Sequence, residues 1–448
     1  MKKTQWNLSV TLIYALVFIF FMTKPLFAAR YYIDITSPYF KRIPVAIPEF
    51  KILSKGRTLE DRALTEKFKK NLPEVLIHDL EFCGLFRILS PRGFLVDPQK
   101  MGVKTGEINF KNWRIQGTDL LVRGAFHVIN NTLILELRLF DVVKAKMMVG
   151  RAYEAPSEDF RSVIHRFSQE IYKALTGKPG IFLTKIAFVN KIGKKKHLFI
   201  CDFDGENVQQ IIKKGETILS PEWSPDGKKL AYVSIEDMGP ALFMADLEQG
   251  TARRLCSYRG LNIAPAWNPK KNLLAVTLSV HGNPEIYTVD LNGRVQKRLT
   301  KFWGIDVAGS WSPDGRYLAF VSNSPGNPQI YILDTETMEK RRLTFSGNYN
   351  TDPSWSPTGE WIAYASLSRD GTNIFRIKPD GTDLQQLTAN SGRNEHPSWS
   401  PDGRMIVFSS NRTGKQRLWV MFADGGQQKQ LTFLSGSQSD PAWSPFMD

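Results

Sequence analysis

Cysteine is scarce in this chain: three in 448 residues, at Cys83, Cys201 and Cys256. That number excludes a disulfide-built scaffold, and without a CxxC pair there is no zinc spacing. Catalytic signatures are missing as well. The chain has no GxSxG nucleophile elbow, no GxGxxG or Walker loop and no HExxH. Its six histidines, at 78, 127, 165, 197, 281 and 396, are scattered and read as separate side chains rather than a metal set. Acidic residues are fewer than basic ones, 44 against 59, for a net charge of +15. Such a charge suits nucleic acid, anionic lipid or acidic partners and does not choose among them. Apolar residues at 42% and charged residues at 23% are ordinary globular usage. They exclude a mainly disordered chain, a collagen and a polytopic membrane protein. The length suggests about three domains, or fewer if one is a large all-β unit.

The first 29 residues carry the three-part pattern of a secretory signal peptide. Lys2 and Lys3 make a basic start, residues 8–22 an uncharged apolar run, and Pro25, Ala28 and Ala29 the end. The 15-residue run is short of the ~20 residues that span a membrane. Cleavage falls after Ala28 or Ala29; an uncleaved anchor is the other reading. No cysteine follows the run, so a lipoprotein start is not indicated. Export argues against a nucleic-acid partner. Lys194, Lys195 and Lys196, between two strand-like segments, read as a solvated hairpin turn.

The strongest signal is a 44-residue period. Trp223, Trp267, Trp311, Trp355, Trp399 and Trp443 stand 44 apart, and Ser-Pro follows each except Trp267, where Asn268-Pro269 stands. Leu255, Leu299, Leu343, Leu387 and Leu431 keep the same register. Each unit reads as four short strands. The first approaches the Trp, a Pro-Asp-Gly turn follows at Pro225, Pro313 and Pro401, and an apolar, an alternating and a basic strand complete it. Four strands per repeat of this length is the propeller pattern. Residues 185–213 supply three strands without a preceding Trp-Ser-Pro strand, and residues 440–443 supply that strand alone. The expectation is an all-β propeller of six blades whose last strand closes the first blade. The recurrent Trp is then blade packing.

Residues 30–176 read as a separate α+β domain, with residues 177–184 as linker and residues 185–448 as propeller. Short strands are expected at 31–35 and 43–47. A helix capped by Thr58 and Asp61 should run to about Asp79, disturbed near Pro73. Three successive strands are expected at 120–126, 133–140 and 147–153, in a mostly antiparallel set. Asn130-Asn131 makes a turn, and Ser157 caps a last helix. The loops before the inner propeller strands hold Asp306, Asp352, Glu395 and Asp440, with His396 beside them. Two readings stay open: a polar socket for a peptide, a basic partner segment or a cation, or merely hydrated loop acids. Trp303 and Tyr349 sit in equivalent loops, outside the blade-packing register. Aromatics at a concave mouth favour binding.

The domain order, the opening RYYIDITSP with IPVAIPEF, the linker LTGKPGIFLTKIAFVN and the terminal PAWSPF together resemble the TolB family, periplasmic propellers of the Tol-Pal system in Gram-negative bacteria. The resemblance implies a monomeric, non-enzymatic periplasmic scaffold without cofactor or metal. It implies binding of the lipoprotein Pal and of TolA, in support of outer-membrane integrity and constriction at division. It places the TolA-facing strand at Arg30, Tyr31, Tyr32, Ile33 and Asp34. It places the Pal-facing loops at Leu261, Asn262, Trp303, Asp306, Val307, Tyr349, Asn350, Asp352, Asn394, Glu395, His396 and Asp440. Asn268-Pro269-Lys270-Lys271 in place of SPDG, and Gly309 where other repeats have Pro, depart from the pattern and imply local loop differences. An exported propeller hydrolase or lyase with a site in the central channel is the alternative.

Overall fold

The computed structural model of the chain describes residues 41–212 and 217–447. The signal segment 1–29, the expected strand at 31–35 and the residues Arg30 to Asp34 lie outside them. Among the described residues no helix is long and apolar enough to cross a membrane.

The first part is a six-stranded sheet with helices α1 (Leu59–Phe82), α2 (Phe110–Ile115) and α3 (Phe160–Thr176). The strands Leu120–Ile129, Thr132–Asp141 and Lys146–Pro156 form an antiparallel meander. Asn130 and Asn131, at φ 50° and 60°, supply its first hairpin turn. The expected antiparallel character stops there. Ile43–Ala46 runs parallel to both Phe86–Ile88 and Leu120–Ile129, and Lys51–Ile52 parallel to Leu120–Ile129. The reason is α1, a helical crossover that returns the chain in the same direction. Thr58 and Asp61 form a reciprocal capping box at its start. The helix does not yield at Pro73, which is buried inside it, and it runs on to Phe82. Ser157 does not cap α3. It sits in a single 3-10 turn, and its N–H goes to the Asn131 carbonyl at 2.9 Å.

Side-chain alternation splits the sheet into two faces. Val45, Leu120 and Leu139 join Phe68, Leu76, Ile164 and Phe167 from α1 and α3. Ala46, Leu121 and Phe140 join Trp113 of α2 on the other face. The first of these cores continues into the second part of the chain through Phe182, Phe203 and Trp443.

The second part is a β-propeller. Four antiparallel four-stranded sheets begin at Asn262, Asp306, Asn350 and Asn394. An eight-stranded sheet contains two more sets of four strands, joined by a single parallel pair, Thr217 with Lys196. In one of these sets the last strand, Ser437–Trp443, pairs antiparallel with Lys185–Ile192 and sets Trp443 opposite Ile186. The inner strands Thr217–Trp223, Asn262–Trp267, Asp306–Trp311, Asn350–Trp355, Asn394–Trp399 and Ser437–Trp443 each contact the next, and the last contacts the first.

The tryptophans hold this circle. All six are buried. Trp311 and Trp399 donate their indole N–H to the carbonyls of Ala266 and Ser354 in the preceding repeat, each at 3.0 Å. Trp223 reaches back to Ala442 at 2.9 Å, and Trp443 to the Thr184 hydroxyl at 2.9 Å. The turns beyond them repeat a second device. Ser400 Oγ donates to Asp402 (2.6 Å) and accepts from the Met405 N–H (2.9 Å), while Gly403 N–H closes on the Ser400 carbonyl. At the departure, Asn268 Oδ1 accepts from the N–H groups of Lys270 and Lys271, so a different residue makes an equivalent turn. Gly309 has its own reason: a Cβ there would collide with Pro353 and the Ala319 carbonyl.

Candidate functional site

Because the strands of each repeat alternate in direction, their connections fall at two ends. The Ser-Pro-Asp-Gly turns and the turns after each third strand lie at one end. The hairpins between second and third strands, and the loops leading into each inner strand, lie at the other. The N-terminal domain packs on the turn end. Gly84 lies against the Phe422 ring, Arg404 donates to the Tyr172 hydroxyl (3.4 Å), and the Lys429 ammonium stands 3.9 Å from the Phe82 ring centre. Among the described residues nothing covers the loop end.

That end has a repeated backbone feature. Each inner strand carries a bulge just before its Trp. Three residues before the Trp, Ser220, Ala264, Asp352, His396 and Asp440 take φ between 48° and 54°. Left-handed backbone costs a non-glycine residue about 1–2 kcal/mol, and its recurrence at one position marks a constrained ring. Ser220, Ala264, Asp352 and His396 line a central cavity of about 560 Å³. One side of the ring is neutral and the other charged.

His396 Nε2 lies 3.4 Å from Asp440 Oδ1 and 3.9 Å from Asp352 Oδ2, and its backbone N–H reaches the same Asp352 oxygen at 3.4 Å. Burial opposes a charge on this imidazole. The carboxylates of Asp352, Asp440 and Glu395 outweigh burial, and its pKa lies above the ordinary value. Glu395 is also held by Arg393 at 2.6 Å. Also lining the cavity is Glu222, whose carboxyl burial pushes up to about 8, opposed by the Trp267 N–H.

The residues expected at the mouth divide into two groups. Trp303 is 78% exposed and Tyr349 49% exposed. Val307 lines the cavity, Leu261 is half-buried, and Asp352, Glu395, His396 and Asp440 cluster as described. Asn262, Asp306, Asn350 and Asn394 depart from the expectation, because all four are fully buried. Asn262 bonds the Tyr258 backbone in both directions (2.8 and 2.7 Å), Asn350 donates to Gln329 and the Ser346 carbonyl, and Asn394 accepts from Arg412. The three asparagine side chains fasten the loops from inside. Ile305 and Phe345, both exposed beside the aromatics, were not picked out from the sequence. Two groupings of histidine and carboxylates close enough to suggest a cation meet at Asp204, at the domain interface, where Arg161 already pairs with that carboxylate.

Residues 31–148 match the model of the TolB amino-terminal domain, and residues 172–447 that of the TolB beta propeller domain. This chain belongs to the TolB family. A Tol-Pal system protein TolB from Desulfosudis oleivorans is 40% identical over 215 residues, 48% of each chain. One from Geobacter metallireducens is 42% identical over 157 residues, 35% of this chain and 36% of that one. The matched stretches thus span about half the length of these TolB relatives, or less. The crystal structure of TolB from Acinetobacter baumannii superposes with a TM-score of 0.76 at 30% identity, covering 91% of this chain and 97% of that one. The TolB fold therefore extends over nearly all of the described residues.

Proposed function

We propose that this chain is a periplasmic, non-enzymatic component of the Tol-Pal system that binds the lipoprotein Pal at the loop end of its propeller. The observation that carries this is the juxtaposition at one uncovered mouth of exposed Trp303 and Tyr349 with the charged half of the inner ring, Asp352, His396 and Asp440. Large aromatics supply buried area, and ring charges supply orientation. Glu395 stands on the same rim. The names of its relatives support the system. We take the domains as 30–176, 177–184 and 185–448. We read the propeller as six blades closed by the last strand; the circle of inner strands supports this count.

The TolA contact is assigned to Arg30, Tyr31, Tyr32, Ile33 and Asp34, which can add as a strand to a partner sheet. Together these contacts serve outer-membrane integrity and constriction. A hydrolase reading has less support. His396 is flanked by two carboxylates, an arrangement that holds an imidazolium rather than activates a nucleophile.

Calorimetric titration tests the assignment. Trp303→Ala should weaken Pal binding by roughly 2 kcal/mol, about thirtyfold, and leave TolA binding unchanged. Deleting residues 30–34 should do the reverse. If both variants bind both partners normally, the sites lie elsewhere.

A further inference from the structure

The turn at Phe203 and Asp204 leaves the propeller and enters the N-terminal domain between α1 and α3. Phe203 stands edge-on to Phe82, Phe182 and His165, with ring centres 5.1, 5.6 and 5.2 Å apart. His165, only 3% exposed, has one nitrogen toward each domain. Its Nδ1 lies 2.8 Å from Asp79 Oδ2 on α1, and its Nε2 lies 3.8 Å from Asp204 Oδ2 on the propeller turn. Ser168 donates to the same Asp79 oxygen at 2.7 Å. Asp79 Oδ1 and His165 Nε2 are buried with no hydrogen-bond partner among the described residues. Buried polar atoms left open in this way call for an explanation.

A metal ion is a poor one. Asp204 Oδ2, the atom both His78 and His165 face, is taken by the Arg161 guanidinium. Asp202 is taken by Lys185 at 2.8 Å and Asn207 at 2.5 Å. Lys429 adds another positive charge on the propeller side of His78. A proton fits better. With both nitrogens protonated, His165 donates from Nδ1 to Asp79, and its positive charge attracts the Asp204 carboxylate 3.8 Å from Nε2.

We propose that His165 is a proton-operated latch between the two domains: as an imidazolium it ties Asp79 of α1 to Asp204 of the propeller turn, and its deprotonation loosens the seating of that turn between α1 and α3. The groups that face it are Asp79 and His78 on α1, Arg161 on its own helix, and Asp202 and Asp204 on the turn. Lys429 faces His78. Burial works against the charge on His165, but Asp79, Asp204 and Asp202 outweigh it and raise its pKa, while burial raises that of Asp79. The seated turn adds the Asp204 and Asp202 carboxylates to the surroundings of His165 and so favours its protonated form over the undocked one. The contact is therefore fully present below the free-histidine value and is lost as pH rises through the raised one.

The chain's own thiols report the seating. Cys83 is buried beside Gly84 at the interface, whereas Cys256 is buried within the propeller. Labelling of the full chain with a maleimide would be followed by peptide mass spectrometry at about pH 6 and about pH 9, with each rate divided by that of the denatured chain at the same pH. Protection of Cys83 should fall about tenfold between the two, the equivalent of one pKa unit of coupling, while protection of Cys256 holds. In His165→Gln, protection of Cys83 should be low and independent of pH. Should that variant not fold, the His165 ring protons of the wild type can be titrated by NMR. Their midpoint should lie above that of free histidine and drop in Asp204→Asn. Equal protection of Cys83 at both pH values would overturn the latch. So would wild-type pH dependence in His165→Gln, an ordinary His165 midpoint, or protection that disappears with a zinc chelator.

Discussion

The two ends of the propeller are built from the same repeat and have become different kinds of surface. At the turn end three units repeat one solution: the indoles of Trp223, Trp311 and Trp399 bond a neighbouring repeat, and the Ser–Asp pairs at Ser224, Ser312 and Ser400 close the turns, with Asn268 and Ser356–Thr358 as variants of the same turn. There the side chains are spent on the fold and on the N-terminal domain. At the loop end the backbone repeats, with a bulge and a left-handed residue in strand after strand, but the side chains do not. Ser220, Ala264, Asp352, His396 and Asp440 occupy one structural position with different chemistry. A periodic scaffold that carries aperiodic side chains is how a repeat protein presents a specific site.

The largest break in this contrast should come from removing the closing strand. Truncation after Thr432 deletes Ser437–Trp443, its pairing with Lys185–Ile192 and a buried Trp. Large aromatics lost to Ala cost about 3–5 kcal/mol alone, against a domain total of about 5–15 kcal/mol. The truncated chain should melt far below the full chain in calorimetry; equal melting would refute closure.

Within the turn end, Trp311→Ala should cost about 3–5 kcal/mol. Trp311→Phe keeps most of the packing and loses only the bond to Ala266, about 1 kcal/mol. Urea unfolding of the pair separates packing from hydrogen bonding. Ser400→Ala leaves the buried Met405 N–H without its acceptor and should cost about 1–3 kcal/mol. At the surface, the Arg316 hydrogen bond holds the Asp334 carboxyl down at about 2. The stabilisation is present above the ordinary carboxylate range and is lost as pH falls through that value. The Arg316 side chain is partly open to solvent, which screens the pair, so Arg316→Gln should shift acid unfolding only slightly.

How far the sequence could be read follows the same division. The turn end was legible, because Trp223 to Trp443 and the Ser-Pro-Asp-Gly turns recur in one register. The pairing of the last strand with the first was legible from strand arithmetic. The loop end was legible only where a side chain breaks the pattern, as Trp303 and Tyr349 do. Asn262, Asp306, Asn350 and Asn394, placed on the Pal-facing loops by the resemblance, are buried. Their own 44-residue spacing was the signal that they belong to the scaffold. The left-handed ring was not legible, since φ follows from bulge geometry that no residue type announces, although the Pro after each of its five residues hints at it. The parallel strands of the N-terminal sheet were missed because the pairing of short strands depends on where α1 returns the chain. The His165 contact joins residues 79, 165 and 204, which no local pattern connects.

The most direct test of a divided propeller is hydrogen exchange on the full chain with and without Pal. Binding at the mouth predicts added protection in the loops at 301–305, 345–349 and 391–396, with the turns at 312–315, 356–359 and 400–403 unchanged. Protection confined to the turns, or to the N-terminal domain, would contradict it.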